Sequence, residues 1–143
     1  MAVVEKSVLI ERSAMQMFDL VDRVEDYPRF LPWCGGTEVF ECTPSKTSAR
    51  IDISYHGLKT HFSTENAKEY PRSMAIALTA GPFKHMDGGW RFTPLGETAC
   101  KVEFRLHYEF SSRLLEKVLG PVFSHIANTL VESFVKRAQQ IYG

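Results

Sequence analysis

Residues 100–110, CKVEFRLHYEF, alternate strictly between apolar and polar side chains, and this pattern constrains the fold more than any other. The apolar members are Cys100, Val102, Phe104, Leu106, Tyr108 and Phe110. Successive side chains of a strand point to opposite faces, so the pattern is typical of a sheet with one buried and one solvated face. We therefore expect the even-numbered residues to face the core and the odd-numbered ones, including Glu103, Arg105 and His107, to be exposed.

The same period of two recurs along most of the chain. It is found at Ile51, Ile53 and Tyr55, at Met74, Ile76 and Leu78, and at Met86, Gly88, Trp90 and Phe92. Residues 3–10, VVEKSVLI, are a further predicted strand. The links at 56–58, 81–82 and 94–96 are short and contain glycine or proline, which predicts an antiparallel meander of about six to seven strands.

Two segments have helical signals instead. Ser13 and Gln16 form a capping-box pattern, which predicts that a helix begins there and that Pro28 and Pro32 end it, with at most one short turn between the two prolines. After Ser112, apolar residues at 115, 119, 122/123, 126, 130, 134, 138 and 141 have the spacing of one long amphipathic helix. Gly120-Pro121 lies inside it, so we expect a kink or a fresh start there.

Composition limits the class of protein. The 143 residues include 17 Lys+Arg and 17 Asp+Glu, so no net charge attracts the chain to DNA. We expect one α+β domain over 1–143, in which a curved sheet wraps around the long C-terminal helix. The first residues do not resemble a signal peptide, no uninterrupted run approaches about 18 apolar residues, and three scattered cysteines favour a reducing cytoplasm. Whether the core is solid or hollow stays open at this point.

The usual signatures of catalysis are missing from the sequence. The five histidines show no metal-binding spacing, and neither a G-x-S-x-G elbow nor a Walker loop occurs. The glycines of MDGGW are better explained by a bent strand than by a phosphate site. Cys34 is interpreted as a small buried hydrophobe rather than a nucleophile. We therefore expect a protein without metal, required cofactor or catalytic residues, although a cyclase-like activity stays an alternative.

Three stretches, YPRFLPWC, GPFKHMDGGWRFTPL and CKVEFRLHYEF, together with the closing helix, carry a resemblance to a known family. The chain resembles the helix-grip (START-like) proteins, in which two short helices follow the first strand. Within them it resembles the branch of the coenzyme Q-binding START proteins, the bacterial ribosome-association toxin A and cyclase/dehydrase-like relatives. The likeness runs over essentially the whole chain. Without a transit peptide, it resembles a bacterial, cytoplasmic member, and the resemblance leaves a peripheral position at the inner membrane open.

The resemblance implies an apolar tunnel between sheet and helix and a guest such as a ubiquinone-type prenyl quinone. An empty cavity of about 300 Å³ would cost about 7 kcal/mol, so the tunnel should be partly collapsed or filled. The residues expected to line it are Tyr55, Phe62, Met74, Ile76, Met86, Trp90, Phe104, Leu106, Tyr108, Phe123, Ile126 and Leu130. The expected function is non-catalytic binding of an apolar ligand, as a carrier or chaperone that supports respiration.

The segment YPRFLPWCGG has two interpretations. Phe30, Leu31 and Trp33 form the rim of the tunnel and contact the bilayer transiently, or they close the end of the core as a plug. The two prolines stiffen the turn and Gly35-Gly36 provides a hinge, which favours the rim.

The same resemblance implies a second partner, the large ribosomal subunit, whose joining to the small subunit the toxin-like relatives are understood to block. Binding to ribosomal RNA requires a clustered basic face. The available basic residues are Arg50, Lys59, Lys68, Arg72 and Lys84. Because Asp52, Glu65 and Glu69 interleave with them, a mixed solvated face is favoured.

Overall fold

The computed structural model of the protein describes residues 2–143. In this part of the chain, seven antiparallel strands form one sheet in the order β1-β7-β6-β5-β4-β3-β2. The strands are β1 Ala2–Ile10, β2 Cys34–Cys42, β3 Lys46–Tyr55, β4 Leu58–Glu69, β5 Ser73–Ala80, β6 Phe83–Pro94 and β7 Cys100–Phe110. The helices are α1 Ala14–Asp22, a 3₁₀ helix Val24–Arg29 and α2 Arg113–Tyr142. This is the predicted helix-grip α+β fold.

Strand β7 confirms the alternation that the sequence predicts. All six even-numbered residues from Cys100 to Phe110 are buried, whereas Arg105 is exposed and the other odd-numbered residues are partly covered. The strand pairs with β1 on one side and β6 on the other. A slip of one residue would turn every apolar side chain outward, so burial of this face maintains the register.

The predicted capping box begins α1. The Ser13 hydroxyl accepts a hydrogen bond from the Gln16 amide at 3.1 Å, and the Gln16 side chain accepts one from the Ser13 amide at 3.0 Å. The helix ends at Asp22, well before Pro28, because the chain continues from Val24 as a 3₁₀ helix that includes this proline. The short turn therefore runs through Pro28 to Arg29 instead of lying between the two prolines.

Helix α2 runs without a break from Arg113 to Tyr142, with the predicted cap at Ser112. A fresh start at Pro121 is therefore wrong, and a bend there stays a prediction. Pro121 removes only the hydrogen bond that the Lys117 carbonyl would otherwise accept. Leu119 and Phe123, on either side of Pro121, are buried in the fold and hold the helix in place. By length and composition α2 could cross a membrane, although the sequence has no uninterrupted apolar run of that length, and the apolar stripe of α2 from Leu119 to Ala138 is buried in the fold.

Two glycines of β6 lie where the neighbouring strands leave no room for a side chain. A Cβ atom on Gly88 would clash with the carbonyl oxygen of Arg105, and one on Gly89 would lie 2.6 Å from that of Met74. Strands β5 and β7 therefore approach β6 too closely at these positions for any side chain, while a bend of the strand at MDGGW stays a prediction. The buried face of the sheet packs against α2, and a cavity lies between these two layers.

Candidate ligand-binding cavity

An internal cavity of about 80 Å³ lies between the concave face of the sheet and α2. Its wall is mainly apolar, with contributions from strands β3 to β7, helix α2 and the segment from Val24 to Trp33. The lining residues are Val24, Tyr27, Trp33, Ala49, Ile51, Phe62, Thr64, Asn66, Ile76, Met86, Trp90, Phe104, Leu106, Phe123, Ile126, Ala127 and Leu130. The core is therefore neither fully solid nor an open tunnel.

Most residues that the sequence analysis assigned to the tunnel lie on this wall. They are Phe62, Ile76, Met86, Trp90, Phe104, Leu106, Phe123, Ile126 and Leu130. They come together because the period of two on the strands and the helical period of α2 turn them toward the same space. Their contact with a ligand stays a prediction.

Three expected lining residues lie elsewhere. Tyr55, at the end of β3, is half-buried and stacks on His125 of α2 with ring centroids 5.7 Å apart. Met74 is buried opposite Trp90 in the sheet. The ring of Tyr108 packs edge to face on Phe123 at 4.7 Å. The alternation predicts the correct face for these residues, but side chains on that face pack against each other wherever no space is left.

The segment YPRFLPWCGG is mostly a plug. Leu31 and Trp33 are 1% and 4% exposed, so the rim interpretation is wrong for both. Phe30 is half-buried, its ring packs on Phe134 at 5.3 Å, and the Arg137 guanidinium lies over it at 5.1 Å. The Trp33 carbonyl accepts a hydrogen bond from the Ser54 amide, which ties the segment to β3. The Trp33 side chain therefore lines the cavity as part of the buried core and not as part of an exposed rim.

Sequence reasoning missed several lining residues. Thr64 and Asn66 continue the inward-facing positions of β4 after Phe62, and Ile51 belongs to an alternation already recognised. Extending the period of two through polar residues would have found the first two. Ala49 and Ala127 give no such signal, because a small side chain leaves space only where the opposite layer does not fill it.

Polar atoms on the wall differ in how they are satisfied. The Tyr27 hydroxyl donates a hydrogen bond to the Val21 carbonyl, and burial raises its pKa far above the ordinary value for tyrosine. The indole Nε1 of Trp33 and the amide Oδ1 of Asn66 are buried without any hydrogen-bond partner. The cavity is therefore apolar with one unpaired donor and one unpaired acceptor.

A second apolar space, of about 10 Å³, adjoins the cavity. It lies below the β3–β4 and β5–β6 turns and beside α2. Its lining residues are Ile53, Leu58, Thr60, Phe62, Pro82, Phe83, Phe110, Leu119, Val122 and Phe123. Phe62 and Phe123 line both spaces, so these two rings separate them.

Groups suited to catalysis do not converge on the cavity. Burial is the main cause that raises the pKa of the Cys34 thiol, which makes it a poorer nucleophile. The exposed His85 pairs with Asp87 at 2.8 Å, and the partly covered His107 accepts a hydrogen bond from Arg105. Within residues 2–143, no three His, Cys, Asp or Glu side chains are grouped in a way that would hold a metal ion.

The basic residues considered for RNA binding are largely paired with acids. Arg50 contacts Glu38 and Asp52, and Lys84 lies 3.6 Å from Glu109. Further basic residues, Lys59 and Arg72, are exposed, whereas Lys68 is buried against Asp22. The surface around these basic residues therefore carries charges of both signs.

A curved antiparallel sheet gripping a long helix over an apolar cavity defines the START-like class of α+β proteins. The chain belongs to the family described as polyketide cyclase/dehydrase and lipid transport, whose profile matches residues 10–135. The Zhui aromatase/cyclase from Streptomyces sp. R1128 has the same fold, with a TM-score of 0.81 and 15% identity, covering 99% of this chain and 96% of that one.

Two relatives of this chain are named for different functions. The ribosome association toxin RatA of Vibrio cholerae is 45% identical over 98% of this chain and 97% of its own length. The mitochondrial coenzyme Q-binding protein COQ10 homolog B of Xenopus laevis is 28% identical over 96% of this chain and 58% of its own length. These relatives are named as a toxin and a binding protein, while the family also includes cyclases.

Proposed function

We propose that the protein binds an elongated apolar ligand, a prenyl quinone of the ubiquinone type, as a non-catalytic carrier that supports respiration. The observation that supports this function best is the apolar cavity between sheet and helix. The name of the coenzyme Q-binding relative supports the class of ligand. The protein acts in the bacterial cytoplasm and contacts the membrane transiently, because the ligand resides there.

The energetics favour a cavity that opens around its guest. An empty space of about 80 Å³ costs about 2 kcal/mol, which a domain tolerates, whereas a fully open tunnel would cost several times more. Each buried CH₂ group of a guest contributes about 0.8 kcal/mol, so an isoprenoid chain offsets the opening.

Mass spectrometry of organic extracts tests this proposal on protein purified from its own host. We expect a quinone to co-purify with the unmodified protein. Ala127→Leu, which adds volume to the cavity wall, should reduce the amount of quinone, and Ala77→Leu, on the exposed side of β5, should not. Quinone in equal amounts in all three proteins, or in none, would contradict the proposal.

The second candidate function is association with the large ribosomal subunit. The observation that favours it is the 45% identity to a ribosome association toxin over nearly the whole of both chains. Sedimentation of cell lysates through sucrose gradients tests it. Co-migration with free large subunits, lost in a Lys59→Glu and Arg72→Glu double variant, would support this function, and sedimentation only at the top of the gradient would contradict it.

A further inference from the structure

Trp33 has an unpaired hydrogen-bond donor inside the core. The side chain is almost fully buried, and its indole Nε1 has no hydrogen-bond partner. An indole N–H is a donor only, and leaving a buried donor unpaired is unfavourable. Native proteins pair most buried polar groups, so an unpaired donor on a cavity wall is suited to pair with a bound ligand.

Tyr27, in the same segment, has a buried hydroxyl whose hydrogen-bond partner is another atom of the protein. The Tyr27 hydroxyl lies on the same wall and donates to the carbonyl of Val21. Trp33 lies only six residues further along the chain, and its backbone carbonyl is also paired, with the Ser54 amide at 2.8 Å. The unpaired indole N–H is therefore a local exception in a well-satisfied segment.

The other buried polar atom on the wall without a partner, Asn66 Oδ1, is chemically opposite to the Trp33 donor. The backbones of Asn66 and Trp33 pair with different ends of β3, at Thr47 and Ser54, although both side chains line the same cavity. The oxygens of a quinone ring only accept hydrogen bonds, which matches the indole N–H and not the amide oxygen.

We propose that the indole N–H of Trp33 donates a hydrogen bond to a ring oxygen of the ligand, so that the cavity selects oxygen-bearing rings over hydrocarbons of similar shape. This inference rests on the proposed function. It makes Trp33 the specificity-determining residue and places the ring of the ligand at the Trp33 end, with its apolar tail along the rest of the cavity.

Binding of two probes to the full chain tests this assignment. The probes are a ubiquinone with a saturated ten-carbon tail and decylbenzene, which has the same tail but no ring oxygen. Trp33→Phe keeps an aromatic ring and removes the N–H. We expect it to weaken quinone binding about three- to tenfold more than decylbenzene binding, the range of one net hydrogen bond.

Two variants are matched controls. Phe104→Leu changes the shape of the same wall without touching a polar group and should weaken both probes equally. Asn66→Leu removes the other unpaired atom and should leave the preference for quinone unchanged. Equal weakening of the binding of both probes by Trp33→Phe would overturn the assignment of Trp33 but not the proposed function. A selective effect of Asn66→Leu would do the same, whereas failure of both probes to bind the unmodified protein would overturn the proposed function as well.

A spectroscopic measurement covers the case in which Trp33→Phe fails to fold. The chain has two tryptophans, so its spectrum contains two indole N–H resonances, which Trp90→Phe assigns. We expect the Trp33 resonance to move downfield on addition of the quinone and to move much less with decylbenzene. A Trp33 resonance that responds equally to both probes would overturn the assignment.

Discussion

The rings of Phe62 and Phe123 meet edge to face, with centroids 6.0 Å apart, between the cavity and the smaller apolar space. Phe62 belongs to β4 and Phe123 to α2, so the contact joins the two layers of the fold. A ligand that enters beneath the β3–β4 and β5–β6 turns has to pass these rings. We therefore interpret the pair as the internal gate of the cavity.

Phe62→Leu should accelerate ligand entry. The shorter side chain leaves a gap beside Phe123, so we expect the association rate of the ten-carbon ubiquinone to rise severalfold, with a stability loss of about 0.5–3 kcal/mol. Stopped-flow tryptophan fluorescence measures the rate. Phe92→Leu is the matched control, because Phe92 is a buried phenylalanine that lines neither space. An equal acceleration in both variants would exclude a specific gate.

Trp33→Ala should strongly destabilise the protein. The side chain is 4% exposed, and truncation of a large aromatic residue in a core costs about 3–5 kcal/mol. Urea denaturation measures the free energy of unfolding. Phe40→Ala removes a side chain that is 54% exposed and should change it by less than about 0.5 kcal/mol. A similarly small change for Trp33→Ala would contradict the role of Trp33 as a plug of the core.

Lys68 and Asp22 form a partly buried ion pair that joins β4 to α1. The Lys68 Nζ lies 2.9 Å from Asp22 Oδ2, and Asp22 Oδ1 accepts a hydrogen bond from Thr47. Lys68→Met leaves the carboxylate without its cation, which should cost about 3 kcal/mol. Adding Asp22→Leu should recover part of this loss, because the unpaired charge is then gone.

A double-mutant cycle measured by urea denaturation gives the coupling energy of the pair. The exposed Lys136–Glu132 pair on α2 is the comparison and should show a coupling below about 0.5 kcal/mol. If the coupling of Lys68 with Asp22 is equally small, the pair does not hold α1 on the sheet.

Thiol labelling should distinguish the three cysteines. Cys34 and Cys100 are buried, which raises the pKa of each thiol, whereas Cys42 is exposed. At pH 8 we expect one thiol to react rapidly with a disulfide reagent in the folded protein and all three in denaturant. Cys42→Ser should remove the rapid phase. A second rapid thiol would show that Cys34 is accessible and reactive.

Local pattern alone predicted the elements whose residues point to one face. The alternation from Cys100 to Phe110 determined which side of β7 is buried, and Ser13 with Gln16 determined where α1 begins, because both signals depend on neighbours along the chain. The helical spacing after Ser112 likewise predicted α2. Together these features and the resemblance sufficed for the fold and for most of the cavity wall.

Only the tertiary structure decided how the two layers fill the space between them. Periodicity gives the direction of a side chain but not its distance from the opposite layer, so it could not separate Phe104, on the cavity wall, from Tyr108, packed on Phe123. It also could not show that Leu31 and Trp33 are buried, because their partners come from distant parts of the chain. The size of the cavity and the unpaired indole of Trp33 follow from packing across the layers, which no local pattern records.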